Sequence, residues 1–182
     1  MTSPPNLVRT LLDEYRRALD YTDTLWRDLP NDEVSWRPKD EFSPIGWHLG
    51  LQATVAHFMV RNLTAAEPSP DPELDGLMDS ATPEVSRVGL PSVDRLAKYR
   101  NDVAERVIYR VTNIAEGRVG APAQLPVIAA TLLVTVTNHE YQHSKWISEV
   151  RHAMLGHTLP ARPSSELLTE LDGYLVLSCI SL

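Results

Sequence analysis

The chain has 182 residues, 43% apolar and 23% charged, the balance of a folded globular domain rather than a disordered or fibrous one. At this length a single domain over residues 1–182 is expected. A net charge of −7 and a pI near 5.3 provide no general attraction to nucleic acid or an anionic membrane, so neither is expected as a partner.

The opening stretch MTSPPNLVRTLLDEY lacks the charged-then-apolar pattern of a signal peptide. Leu7, Leu11, Tyr15, Ala18, Tyr21, Thr22 and Leu25 recur at helical spacing, which predicts a helix from Ser3 or Asn6 to near Pro30. PNDEVSWRPKDEF then reads as a loop, with Trp36 as its anchor on the core. Ser43 followed by Pro44 has the signature of an N-cap with proline at the first helical position, and predicts a second helix to about Ala66. The Pro- and Asp-rich segment 67–92 reads as a long connection holding one short helical turn; links of that length cross a bundle or cover a site.

Ser92 caps a third helix through Leu96, Tyr99, Val103, Val107, Tyr109 and Ile114, with Gly117 as its stop. From Pro122 to Met154 runs a long segment, apolar and then charged. Its middle, IAATLLVTVTN, would suit a buried strand, but the total length favours a helix with Pro126 in its first turn. RPSSELLTELDGYLVLSCISL predicts a short capped helix and an apolar end of unassigned conformation. Cys179 has no partner for an internal disulfide, reads as a small apolar residue, and is compatible with the expected cytoplasmic location. No window approaches the ~18 uninterrupted apolar residues of a membrane span. Together these elements predict an all-α four-helix bundle with a long crossover connection between its second and third helices.

His139 and His143 are four residues apart, so on a helix they stand about 40° around the axis and can reach one ion. Their face continues through Ile128, Leu132, Thr135, Val136, Trp146 and Val150. Histidines on such a stripe require hydrogen bonds or a bound ion to offset desolvation, and the residues alone leave both readings open. The run His139-Glu140-Tyr141-Gln142-His143 also matches the short zinc-protease pattern. His152 and His157 lack the spacing of a third ligand, Glu166 and Glu170 are only conceivable ones, and no substrate-binding strand is evident, so a peptidase is disfavoured. In the second helix His48 and His57 are nine residues apart, about half a turn net, and point in opposite directions. His48, beside Leu51, Gln52, Val55 and Met59, faces inward, with Gln52 as a hydrogen-bond partner; His57, beside Gly50, Ala53 and Arg61, falls to a surface, an interface or a loop contact. Trp26, Trp36, Trp47 and Trp146 read as packing residues, Trp146 being one turn beyond His143 and a candidate to line a pocket.

WRPKDEFSPIGWHLG followed by NHEYQHSKWI resembles the DinB-like superfamily, including the DinB-like domain of ergothioneine-type sulfoxide synthases. The resemblance implies a bundle with a crossover, commonly a homodimer, and a divalent metal (iron, zinc or nickel) held by one histidine of the second helix and two of the last long helix. His139 and His143 match that pair. The remaining ligand position, four residues after Trp47, is Leu51, and His48 one turn earlier is the candidate substitute. At this length the chain is not expected to carry the second domain of those synthases as well. Other relatives resembled are transferases acting through mycothiol or bacillithiol, in which the metal lowers the thiol pKa. The expectation is therefore a small DinB-like enzyme acting on a small molecule by metal-dependent thiol transfer. Its metal ligands are His48, His139 and His143; Glu140 orients a histidine or water, Tyr141 lies near the pocket, and a low-molecular-weight thiol is the partner. The alternative is a metal-free bundle with a degenerate site, acting as a binding protein or a metal-independent enzyme.

Overall fold

A computed structural model describes residues 4–37, 42–61, 63, 67–81, 87–119 and 124–178. Its helices are α1 (Pro4–Thr24), α2 (Asn31–Ser35), α3 (Ile45–Val60), α4 (Pro72–Leu77), α5 (Val93–Ala115) and α6 (Leu125–Glu149), the last continuing into a π-helical turn, Val150–Met154. Strands β1 (Leu168–Leu171) and β2 (Tyr174–Leu177) follow as an antiparallel pair. Among the described residues no helix is long and apolar enough to cross a membrane.

Helices α1, α3, α5 and α6 form the bundle. Around it α1 packs on α6, α6 on α3, α3 on α5, and α5 back on α1. Polar contacts fix the directions. Thr54 near the middle of α3 bonds Tyr99 early in α5, while Arg61 at the end of α3 receives a bond from Arg110 late in α5, so these two helices run parallel. Two consecutive parallel helices require a connection that returns the full length of the bundle. The link holding α4 is that crossover, and its expected helical turn is α4, capped by the Asp71 side chain. Ser92 caps α5 as expected, accepting from the Arg95 amide, and Gly117 just beyond the helix has φ +67°, the left-handed conformation that stops it.

Helix α6 is a helix despite its β-branched run because Ala129, Ala130, Leu133, Val136, Glu140, Tyr141, His143, Ser144 and Ile147 are all buried, a period no strand produces. Pro126 lies in its first turn as predicted. In α3 the buried set is nearly continuous from Ile45 to Ala53 and resumes at Ala56 and His57. Helix α3 therefore has no solvent face along its first half and serves as the central helix.

Several expectations are corrected. Pro44, not Ser43, is the residue before the first turn of α3, and the Ser43 hydroxyl accepts from Arg87 instead of capping. Helix α3 ends at Val60; residues 64–66, which carry the predicted end, lie outside the described set, as do Ser3, Pro122 and Cys179. Segment 31–35 is a helical turn rather than loop, anchored by Val34 at 1% exposure, while Trp36 is 40% exposed. The tail is a hairpin, not a capped helix. Asp172 and Gly173 both have positive φ, 51° and 83°, the two-residue turn whose twist suits an antiparallel pair. The hairpin lies against α6, where the Leu177 amide donates to Asn138 Oδ1 at 2.8 Å.

A histidine chamber between the second and last bundle helices

The start of α3 faces the C-terminal half of α6 across a cavity of about 510 Å³. Trp47, His48 and Leu51 line it from α3, and His139, His143 and Trp146 from α6. The spacing explains the convergence. His48 and Leu51 are three apart and His139, His143 and Trp146 recur at four and three, so each set occupies one helix face. The π-helical turn after α6 brings Val150 into the wall, and Arg151 beyond it fixes this end by donating to Leu25 O and bidentately to Asp28.

The three histidines cluster around His143. His143 is central, its ring centroid 5.1 Å from that of His48 and 4.4 Å from that of His139. His48 Nδ1 and His143 Nδ1 are 2.9 Å apart, a hydrogen bond between facing nitrogens. One of those nitrogens donates and the other accepts, so the pair holds one proton between the rings. The outer Nε2 of the donor ring is then an acceptor, and the outer Nε2 of the acceptor ring is a donor. Burial disfavours charge on these rings: it lowers the pKa of both His48 and His143, aided by the nearby cation Arg87 and by the other imidazoles, and depresses His139 to about 4. At neutral pH the chamber is thus lined by neutral imidazoles able to offer one donor and one acceptor together. Trp146 meets His143 edge-on at 4.8 Å, and Trp47 lies 5.4 Å from His48. Arg87, from the crossover, stacks its guanidinium 3.6 Å over Trp47 and donates to Ser43.

Other predicted site residues fall elsewhere. Glu140 lies off the chamber wall and turns toward α5, where its carboxylate, 2% exposed as a residue, accepts from Arg100 at 2.9 Å instead of orienting a chamber histidine. Gln52 does not reach His48; it donates to the Glu140 carbonyl and accepts from Arg100. Burial alone would lower the Arg100 pKa, but the opposing Glu140 and Asp23 carboxylates raise it, so this cation holds its charge within the bundle. Tyr141 packs toward α1, with its ring 6.4 Å from Tyr21, and burial holds its hydroxyl protonated. His57 points away from the chamber as expected, but it is buried, because the far side of α3 is covered by α5 and the start of the crossover. Arg100 and Arg87 were not anticipated. Arg100 was visible in principle as a lone cation on the Leu96, Tyr99, Val103, Val107 stripe, whereas Arg87 sits in a link with no periodic pattern.

A three-histidine metal centre does not fit this donor set. Among the described residues no group of three His, Cys, Asp or Glu side chains is arranged to hold an ion. The facing nitrogens of His48 and His143 are engaged with each other, the His139 ring contacts His143, and the apolar Leu51 lines the wall at the expected ligand position.

A helical bundle with a crossover and a histidine-lined chamber between two of its helices is the class of protein defined here. The family model of the DinB superfamily matches residues 14–147, and the chain belongs to that superfamily. No curated protein has a matching sequence.

Proposed function

We propose that this DinB-superfamily protein binds a small molecule in the chamber between α3 and α6, using paired neutral imidazoles in place of a resident metal. The observation that carries the reading is the Nδ1-to-Nδ1 hydrogen bond between His48 and His143, beside Leu51 at the position from which a ligand would come. A cavity of about 510 Å³ falls in the range of small-molecule sites, and its walls combine the aromatic faces of Trp47 and Trp146 with the imidazoles and with Arg87 and Glu149 at its edge. The paired rings suit a ligand carrying adjacent donor and acceptor atoms. They also permit acid-base assistance without net charge: a proton taken at one Nε2 is matched by one released at the other as the bridging proton shifts.

Imidazole nitrogen NMR tests this. One ring of the pair is expected as the Nδ1–H tautomer and the other as Nε2–H, with both signals unchanged by one equivalent of zinc. Stoichiometric zinc that abolishes the bridging proton and shifts His48, His139 and His143 together would overturn the reading in favour of a metal centre and, with it, of thiol activation.

A further inference from the structure

We infer that the binding site does not end at the chamber: its ligand is an elongated molecule that passes His139 into a second cavity between α6 and the hairpin. This rests on the reading of the chamber as a ligand site. The second cavity, about 520 Å³, is lined by Val134, Leu175 and Val176 and by the polar Thr135, Asn138 and Gln142. His139 lines both spaces and is therefore their common wall.

Little holds that wall in place. The His139 ring touches His143, but among the described residues neither of its nitrogens makes a hydrogen bond to the protein, and it is only partly buried. Rotation of one such side chain is a fast event and would join the two spaces. The two ends differ in chemistry. The chamber presents two indoles and the imidazole pair, with Arg87 and Glu149 of opposite charge also on its wall, which suits a planar, uncharged aromatic group. Among the described residues Asp172 is the only charged one lining the second cavity, and none is a cation, which disfavours an anionic tail. The Leu177 amide occupies Asn138 Oδ1, which leaves the Asn138 amide NH₂ as a donor beside the Gln142 amide. A hydroxyl, able to donate and accept, matches that lining. On this reading the hairpin is a wall of the site and supplies its length selectivity.

The test is an NMR titration of the full chain with benzyl alcohol, phenylpropanol and phenylhexanol. All three are expected to perturb Trp47, Trp146 and the histidine pair, while only the longest perturbs Gln142 and the hairpin. Affinity is expected to tighten about threefold to fourfold for each methylene that becomes buried. Gln142→Trp fills the second cavity from its solvent side and should collapse the ratio of benzyl alcohol Kd to phenylhexanol Kd toward one. If benzyl alcohol binds in the chamber but lengthening brings no gain, or the gain survives in Gln142→Trp, the extended site is wrong and the chamber stands. If none of the alcohols perturbs the chamber, both readings fall.

Discussion

Keeping the histidine cluster neutral makes the fold acid-labile in a defined window. His48, His139 and His143 all have folded pKa values well below the ordinary 6.5, chiefly through burial. Below pH 6.5 the unfolded chain binds protons that the folded one refuses, so this contribution is fully present above 6.5 and is lost as the pH falls. At pH 5.5 each such histidine removes about 1.4 kcal/mol of stability, and the three together about 4 kcal/mol, out of the roughly 5–15 kcal/mol of a typical domain. Urea unfolding at pH 7.5 and 5.5 measures the loss. The double variant His48→Leu, His143→Leu replaces both hydrogen-bond partners with apolar groups and should reduce the loss by about 2.8 kcal/mol. The buried His57, also depressed, contributes equally to both proteins and cancels in the comparison. An equal loss in parent and variant would refute the claim that these rings are held neutral.

Arg100→Met leaves Glu140 as an unpaired buried carboxylate and should destabilise the bundle by about 3–5 kcal/mol in urea, with much of that recovered when Glu140→Gln is added. A Cβ at Gly50 would collide with the Met78 side chain where α3 meets the crossover. Helix propensity favours alanine there by about 1 kcal/mol, so Gly50→Ala is expected to cost up to about 2 kcal/mol net by thermal unfolding, and Met78→Val in the same chain to restore part of it. In the hairpin turn, Gly173 has φ +83° and a Cβ there would stand 3.1 Å from Lys145 Cε. Gly173→Ala should lose about 1 kcal/mol or more by the same assay.

The helices were legible because their apolar periods, the Ser92 cap and Gly117 are local signals. The crossover was also legible, from the length and proline content of segment 67–92. The hairpin was not, although Leu171-Asp172-Gly173-Tyr174 carries a turn dipeptide between apolar runs; the capping pattern in Ser164-Ser165-Glu166 competed with it and tertiary contact with α6 decided. In the site, spacing placed His48 inward and His57 opposite, and both directions hold. Spacing could not show that α3 is covered on both sides, which is why His57 is buried, nor that Glu140 turns to Arg100. Helical geometry puts Glu140 about 100° from His139, and only the position of α5 determines which neighbour it meets.

On the proposed reading, Leu51 and the His48–His143 hydrogen bond together set this chamber apart from a metal centre. The most direct measurement is the metal content of the purified chain and of Leu51→His, after equilibration with zinc or ferrous iron and removal of excess ion. The account predicts well below one equivalent in the parent and close to one in Leu51→His, whose new imidazole would project from the same wall toward His139 and His143. One tightly held equivalent in the parent, lost in both His48→Ala and His139→Ala, would contradict it.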